Sequence, residues 1–286
     1  MRTLFFAHRG SSATFAENTR ASYLQAIAEG ADGVECDVHL TEDFEVVCHH
    51  DFELGRTSDG TGSVSSLTLA QLREFDFSSW KGKRIPDEFG SKSSQLVTLG
   101  ELIELCVAAG RKLGLAIELK HPSPYGRRLE ERVLEVLMQH GWDPESSRIG
   151  DVRVSLMSFD PDSITYLNET VGREFLCQLV SDVTDEAVEE VLAFGQLGRT
   201  AVTNVLTGAL NRGLENIDAG VAGIAGPGVE FVRAHEDHVR SWVASGRMLR
   251  VWTVDALADA EYLVGLGIQQ LTSNRPAPLR RELLHK

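Results

Sequence analysis

A chain of 286 residues, 42% hydrophobic and 24% charged, has room for one large α/β domain or two small ones and has the composition of an ordinary soluble protein. Its formal net charge of -14, with no Lys/Arg run or basic stripe, excludes general nucleic-acid affinity. An anionic substrate would therefore need a local cation to overcome the global field.

Residues 1–8 are too short and too quickly polar for a signal peptide, and no apolar run reaches the ~18–20 residues of a membrane span. Cys36, Cys48, Cys106 and Cys177 are scattered among apolar residues without a CxxC pair. Buried free thiols in a reducing compartment follow, so the chain is expected to be cytoplasmic, with no stable membrane association.

Strand-like and helix-like segments alternate almost from end to end. Residues 4–8 read as a strand and 18–29 as a helix, with Asn18 placed as its N-cap. Residues 33–40 and 45–50 read as extended. Thr68-Leu69-Ala70-Gln71 and Thr98-Leu99-Gly100-Glu101 are capping boxes, and the helix opened by the second runs to about Ala109, where Gly110 stops it. Residues 113–120 form the next strand and 129–140 the next helix. Residues 152–159 are a strand, followed by Asp160-Pro161 as N-cap and first helical residue. A strand at 174–180 precedes a helix at 185–193. Short strands at 220–225 and 249–254 flank a helix at 229–244, and a helix at 255–266 leads to a last strand at 269–273.

One strand per βα unit gives about eight, which favours a (β/α)8 TIM barrel occupying residues 1–286 as a single domain. A doubly wound open sheet is the runner-up, but no G-x-G-x-x-G follows the first strand. The segment at about 51–95, rich in Gly, Ser, Thr and Asp, is a small insertion after the second strand. It is expected to overhang the end of the barrel where active sites form.

The stretch Gly33-Val34-Glu35-Cys36-Asp37-Val38 is the pivot. In a strand Glu35 and Asp37 share one face, while Val34, Cys36 and Val38 share the other and face the helix layer. Two carboxylates a few Å apart in an apolar element are costly unless a cation neutralises them. In a barrel the C-terminal strand ends carry the chemistry. Those ends read His8-Arg9-Gly10, His50-Asp51 and Glu118-Leu119-Lys120, with Glu118 and Lys120 on one face and Leu115, Ile117 and Leu119 on the other. Three carboxylates suit Mg²⁺ or Ca²⁺ rather than zinc. Two histidines suit a paired general acid and base, and Arg9 with Lys120 suits a phosphate whose charge grows during displacement. Metal-assisted phosphodiester cleavage is what this set does best.

The motifs themselves are also familiar. His8-Arg9-Gly10, Glu17-Asn18-Thr19, Glu35-x-Asp37-Val38, Thr41-x-Asp43 and His50-Asp51, then Arg56-Thr57-x-Asp59-Gly60-Thr61-Gly62, resemble the glycerophosphodiester phosphodiesterase family. Glu118-Leu119-Lys120, Ser158-Phe159-Asp160, Val251-Trp252-Thr253 and Ser273-Asn274-Arg275-Pro276 extend the likeness over nearly the whole chain. The resemblance implies a (β/α)8 barrel with Mg²⁺ or Ca²⁺ held by Glu35, Asp37 and Glu118. It implies acid–base catalysis by His8 and His50, phosphate contacts from Arg9 and Lys120, and Trp252 beside the substrate. The partner is then a small glycerophosphodiester, cleaved to glycerol 3-phosphate and an alcohol. Ser273-Asn274 departs from the Thr-Asp often found before the proline. The alternatives are a lysophospholipase D-like or other phosphodiesterase, and a non-catalytic phosphodiester-binding barrel. A homo-oligomer is left open.

Other residues have plainer readings. Glu17 could reach the site from its loop. His49 alternates with His50 and points away; His39 shares the face of Glu35 and Asp37, nearer the rim. His235 and His238, at helical i, i+3 spacing, read as a solvated face rather than a metal pair. Glu130-Glu131 reads as solvated helix surface. Gln178 ends a strand in an inward position, with packing and binding both open.

Overall fold

Where the sequence sets Val, Ile and Leu in alternation with a second series of residues, the computed structural model, which describes residues 2–192 and 198–284, has strands. In chain order, β1 (Leu4–Ala7) leads through α1 (Arg20–Ala28) to β2 (Gly33–Leu40) and the short β3 (Val46–Cys48). Then come α2 (Leu69–Leu72), α3 (Leu99–Ala108), β4 (Leu113–Leu119), α4 (Arg128–Gln139), β5 (Arg148–Ile149) and β6 (Val152–Ser158). The chain continues through α5 (Pro161–Leu167), β7 (Leu176–Val180), α6 (Asp185–Leu192), α7 (Arg199–Asp218) and β8 (Ile224–Pro227). It finishes with α8 (Val229–Ala234), α9 (Glu236–Ala244), β9 (Met248–Val251), α10 (Leu257–Gly265), β10 (Gln270–Ser273) and α11 (Pro276–Leu284).

β3 and β5 each pair antiparallel with one neighbour. The other eight strands run parallel in the order β1, β2, β4, β6, β7, β8, β9, β10, and β10 pairs back with β1. The sheet is therefore closed, a (β/α)8 barrel, and the open doubly wound alternative is excluded.

Alternation assigns the faces. Val34, Cys36 and Val38 of β2 and Leu115, Ile117 and Leu119 of β4 pack outward against Leu99, Leu102, Ile103 and Cys106 of α3. The intervening positions turn inward, where Phe6, Ala116, Met157, Cys177, Leu179 and Ile224 form a smaller core inside the barrel. Gly114 lies on this inner face, where a Cβ would sit 2.6 Å from Phe6 Cε1. The absence of a side chain there admits the Phe6 ring. All four cysteines are buried and unpaired. No helix among the described residues is long and apolar enough to cross a membrane.

Several elements differ from expectation. α7, twenty residues long, has no counterpart in the sequence reading. Its Thr, Asn and Gly content is poor for helix, and Gly208 and Gly213 each cost about 1 kcal/mol relative to Ala. Burial of Val202 and Ile217, about 1.5–3 kcal/mol for each side chain, outweighs that. The helix expected over 229–244 breaks at His235, which leaves the helical region with φ -125° and ψ 39°. His235 and His238 therefore do not share one continuous helix. The strand expected at 220–225 is displaced to β8, and α11, opened by Pro276, was not foreseen. The helix expected at 185–193 is present through Leu192, and Ala193 lies outside the described residues.

Residues 51–95 contain α2 and a run of 3-10 turns around a satellite core of Leu54, Val64, Leu72 and Phe77, packed with Val47 and Leu96. The buried Gln95 side chain accepts from the Ala21 N–H (2.9 Å) and so ties this segment to the first turn of α1.

Candidate active site

The turn after β1 is the first construction element. Arg9 and Gly10 both have left-handed backbone, with φ of 56° and 79°. This bend aims the Arg9 N–H at Glu35 Oε2 (2.9 Å) and sets its Nε 3.1 Å from Asp37 Oδ2. Gly10 permits it, since a Cβ there would lie 2.6 Å from the Ser22 carbonyl carbon. Gly10→Ala is expected to cost about 1–2 kcal/mol for the left-handed backbone and a further ~1–3 kcal/mol for overpacking. A urea titration that finds the variant as stable as wild type would remove the turn from the account.

On the inner face of the neighbouring strands, Asp37 of β2 stands in register with Glu118 of β4. One oxygen each from Glu35, Asp37 and Glu118 lies within 4.8 Å of the others, and all three residues are buried. Burial first, then the Asp37 and Glu118 charges, pushes Glu35 well above the usual carboxylate range. Glu118 is raised by burial and by Asp37. Burial opposes ionisation of Asp37 too, but Arg9, His50 and Lys120 hold it well below its ordinary value. Lys120 Nζ reaches Glu118 (2.8 Å) and Asp37 (3.6 Å). Glu35 Oε1 and Asp37 Oδ1 are nonetheless buried without a hydrogen-bond partner. Orphaned carboxylate oxygens in an all-oxygen donor set fit a hard divalent cation.

Asn18 has a role that the helix-cap reading missed. Thr19 is the N-cap of α1, forming a capping box with Ser22. Asn18, at φ 54°, instead donates Nδ2–H to Asp37 Oδ2 (2.9 Å) and accepts from the Tyr23 hydroxyl (2.7 Å). Its signal in the sequence is the Glu17-Asn18-Thr19 triplet.

The two histidines have opposite surroundings. His8 Nδ1 lies 2.8 Å from Asn274 Oδ1, and that amide oxygen also accepts from Ser12 Oγ (2.7 Å). Asn274 donates Nδ2–H to Asp255 Oδ2 (2.6 Å). An amide oxygen only accepts, so the His8 proton sits on Nδ1 and Nε2 keeps its lone pair. Burial, then Arg9, lowers the His8 pKa to about 4. His50 Nδ1 instead faces a carboxylate, Asp51 Oδ1, at 2.6 Å. Burial would raise Asp51, but its hydrogen bonds to His50 and Arg56 hold it well below the usual range.

A chain of ion pairs frames the two histidines. Arg56 binds Asp51 (Nε, 2.5 Å) and Glu17 (Nη2, 2.6 Å), and Glu17 binds Arg9 (2.8 Å). Glu17 thus reaches the site through Arg9 and Arg56. His39, kept neutral by burial with a pKa of about 3, places Nε2 3.0 Å from the His50 carbonyl. His8, His50, Arg9, Glu35, Glu118, Lys120 and Trp252 line one cavity of about 400 Å³. Trp252 donates Nε1–H to the Gly226 carbonyl (2.8 Å) and meets Phe159 edge-to-face at 5.4 Å.

The remaining expectations divide. His49 is buried away from the site, with Nδ1 2.7 Å from the Asp51 carbonyl and Nε2 3.0 Å from Thr57 Oγ1. Gln178 is not inward. It faces the helices, accepting from Asn216 Nδ2 (3.1 Å) and donating to the Ser158 carbonyl (3.1 Å), because alternation gives the interior to Cys177 and Leu179. Glu130 is not solvated but fully buried. Burial opposes its ionisation, but the hydrogen bonds from His121 (3.0 Å) and Arg127 (2.7 Å), together with their charges, bring its pKa to about 2. His235 and His238 stay near the surface, each beside one aspartate, Asp182 and Asp218.

Comparison with known proteins supplies the remaining finding. Residues 8–277 match the Glycerophosphoryl diester phosphodiesterase family. A Mycobacterium tuberculosis protein described as "Probable glycerophosphodiester phosphodiesterase 1" is 32% identical over 272 residues, covering 94% of this chain and 88% of its own length. A Bacillus subtilis glycerophosphodiester phosphodiesterase is 26% identical over 292 residues, covering 100% of this chain and 86% of its own. Among solved structures, that of an Oleispira antarctica phosphodiesterase in complex with the product sn-glycerol-3-phosphate superposes with a TM-score of 0.76 at 25% identity. The match covers 100% of this chain and 98% of that one.

Proposed function

Because the chain belongs to the Glycerophosphoryl diester phosphodiesterase family, we propose that it hydrolyses glycerophosphodiesters to glycerol 3-phosphate and an alcohol. One observation carries the chemistry: His8 and His50, with unlike partners, line the same cavity as Glu35 and Glu118 of the carboxylate cluster. Glu35, Asp37 and Glu118 would hold Mg²⁺ or Ca²⁺, which when bound supplies positive charge against the phosphoryl oxygens. Neutral His8, with Nε2 unprotonated, takes the proton of the attacking oxygen. His50, held through Nδ1 by the Asp51 carboxylate at 2.6 Å, gives a proton to the departing alcohol. Arg9 and Lys120 bind the phosphoryl oxygens, and Trp252 packs beside the glycerol or the alcohol. The whole chain acts as one catalytic domain, to which the 51–95 segment contributes Asp51 and Arg56. Its unpaired thiols fit the cytoplasm.

A second reading, in which the alcohol is lipid-like, is favoured by the far wall of the cavity. Val183, Ala187 and Val191 line it with Leu206, Ala209 and Leu210 of α7, and among the described residues of this wall Asp182 alone is charged. About 25 cal/mol per Å² of apolar area removed from water would reward an alkyl chain on this wall and not a choline or glycerol head. A hydrolysis screen over glycerophosphocholine, glycerophosphoethanolamine, glycerophosphoglycerol and lysophospholipids tests both readings. Leu206→Asp is expected to cut kcat/KM at least tenfold on a lysophospholipid while leaving glycerophosphocholine within about twofold. An unchanged ratio would dismiss the lipid-like alcohol, and no hydrolysis of any diester would dismiss the enzyme.

A further inference from the structure

The mouth of the barrel opposite the catalytic strand ends holds a charge that the reaction does not use. Arg250, on the inner face of β9, is 2% exposed. Its guanidinium lies over the Phe6 ring at 4.4 Å. Nε donates to Gln270 Oε1 (2.7 Å), and Nη1 to Ser155 Oγ (3.0 Å) and Met157 Sδ (3.6 Å). Every one of these partners is neutral. Among the described residues no carboxylate forms an ion pair with Arg250, and Nη2 makes no hydrogen bond. Arginine does not shed its proton in a protein, so neutralisation by titration is closed to it. A buried charge is otherwise paired.

Beside Arg250 lies a cavity of about 520 Å³, lined also by Lys112, Arg148 and Arg153. Arg153 stacks on Phe175 at 5.0 Å, and none of these three cations forms an ion pair among the described residues. Two carboxylates, Asp151 and Glu174, share the lining. A third, Asp32, is taken up by Arg2 (2.6 Å) and Arg280 (3.5 Å). With Arg2 and Asp32 counted as a pair, four cations face two carboxylates in a chain of net charge -14. This sign reversal is local to the cavity.

We propose that this second cavity binds a phosphate-class oxyanion, with Arg250 as its buried anchor and Arg148, Arg153 and Lys112 at its mouth. Arginine suits the task because its planar donors match the oxygens of phosphate. The competing explanation is that Phe6, Gln270, Ser155 and Met157 satisfy Arg250 by themselves. They satisfy its donors in part and supply no opposite charge.

The probe is inorganic phosphate at constant ionic strength, titrated calorimetrically into metal-free protein. Wild type is expected to show two phosphate sites, one at each end of the barrel. Arg250→Met should lose one of them. It should also melt above wild type in phosphate-free buffer, since it removes an unpaired buried charge. Arg153→Ala, at the exposed rim, should weaken one site at least tenfold and leave the other unchanged, which keeps the test decisive if Arg250→Met does not fold. A single wild-type site, lost in Lys120→Met and kept intact in Arg153→Ala, overturns the proposal. So does an Arg250→Met protein with both sites at wild-type affinity.

Discussion

His50→Ala is expected to keep a far larger fraction of wild-type rate on a glycerol p-nitrophenyl phosphodiester than on glycerophosphocholine. Alkyl oxide is a poor leaving group and needs a proton, which the proposed mechanism assigns to His50, whereas p-nitrophenolate leaves as a stable anion. Loss of a positioned acid should therefore cost ~10²–10⁴ on the alkyl substrate and much less on the aryl one. His8→Ala should be about equally impaired on both, because the attacking oxygen needs its proton removed whatever departs. A glycerol diester carries a hydroxyl next to its ester oxygen, so the substrate can supply that oxygen itself. On the proposed mechanism the ring would close to a cyclic phosphate as the alcohol leaves, and water would then open it with the two histidines in reversed roles. The hydrogen bonds point the same way: His8 faces an amide oxygen and His50 a carboxylate. Equal losses for His50→Ala on both substrates, with chemistry shown to limit the rate, would refute the assignment. The reverse pattern would exchange the roles.

Glu35→Gln, Asp37→Asn and Glu118→Gln should each weaken Mg²⁺ or Ca²⁺ binding by at least the ~10–100-fold that removal of a mere supporting hydrogen bond costs. Asn18→Ala, which removes such a bond from Asp37, should fall within that ~10–100-fold range. The variants carry a second signature. In metal-free protein the folded-state pKa of Glu35 lies above its ordinary value of 4.5. Its contribution to stability is therefore fully present below that pH and is lost as pH rises toward the folded value. Glu35→Gln abolishes this term, so the metal-free variant should melt at or above wild type at neutral pH while losing the metal-induced rise in Tm. Calorimetry giving wild-type metal affinity in any of the three variants removes that residue from the ligand set.

The barrel was legible because its strands carry the period-two code strongly. Val34-Glu35-Cys36-Asp37-Val38 announces both its faces in five residues, and Leu115, Ile117 and Leu119 face the helices as alternation requires. α7 was hidden because tertiary burial there overrides local propensity. Gln178 was misjudged because a one-residue error in phase reverses a strand's faces. Glu130 looked like surface charge because nothing local reveals that His121, nine positions earlier, folds back onto it. Motif residues were findable as types, but their partners were not. The Asn274–His8 bond joins positions 266 residues apart, and Arg56 reaches Glu17 across 39. Such contacts arise only when the barrel closes and the 51–95 segment folds over its end.

The most direct test of the account strips the protein of divalent cations with EDTA and follows release of glycerol 3-phosphate from glycerophosphocholine. The stripped protein should be inactive, and activity should return in proportion as Mg²⁺ or Ca²⁺ is added back, saturating as calorimetry reaches one bound ion per chain. Full turnover by stripped protein, or bound metal without any release of glycerol 3-phosphate, would contradict it.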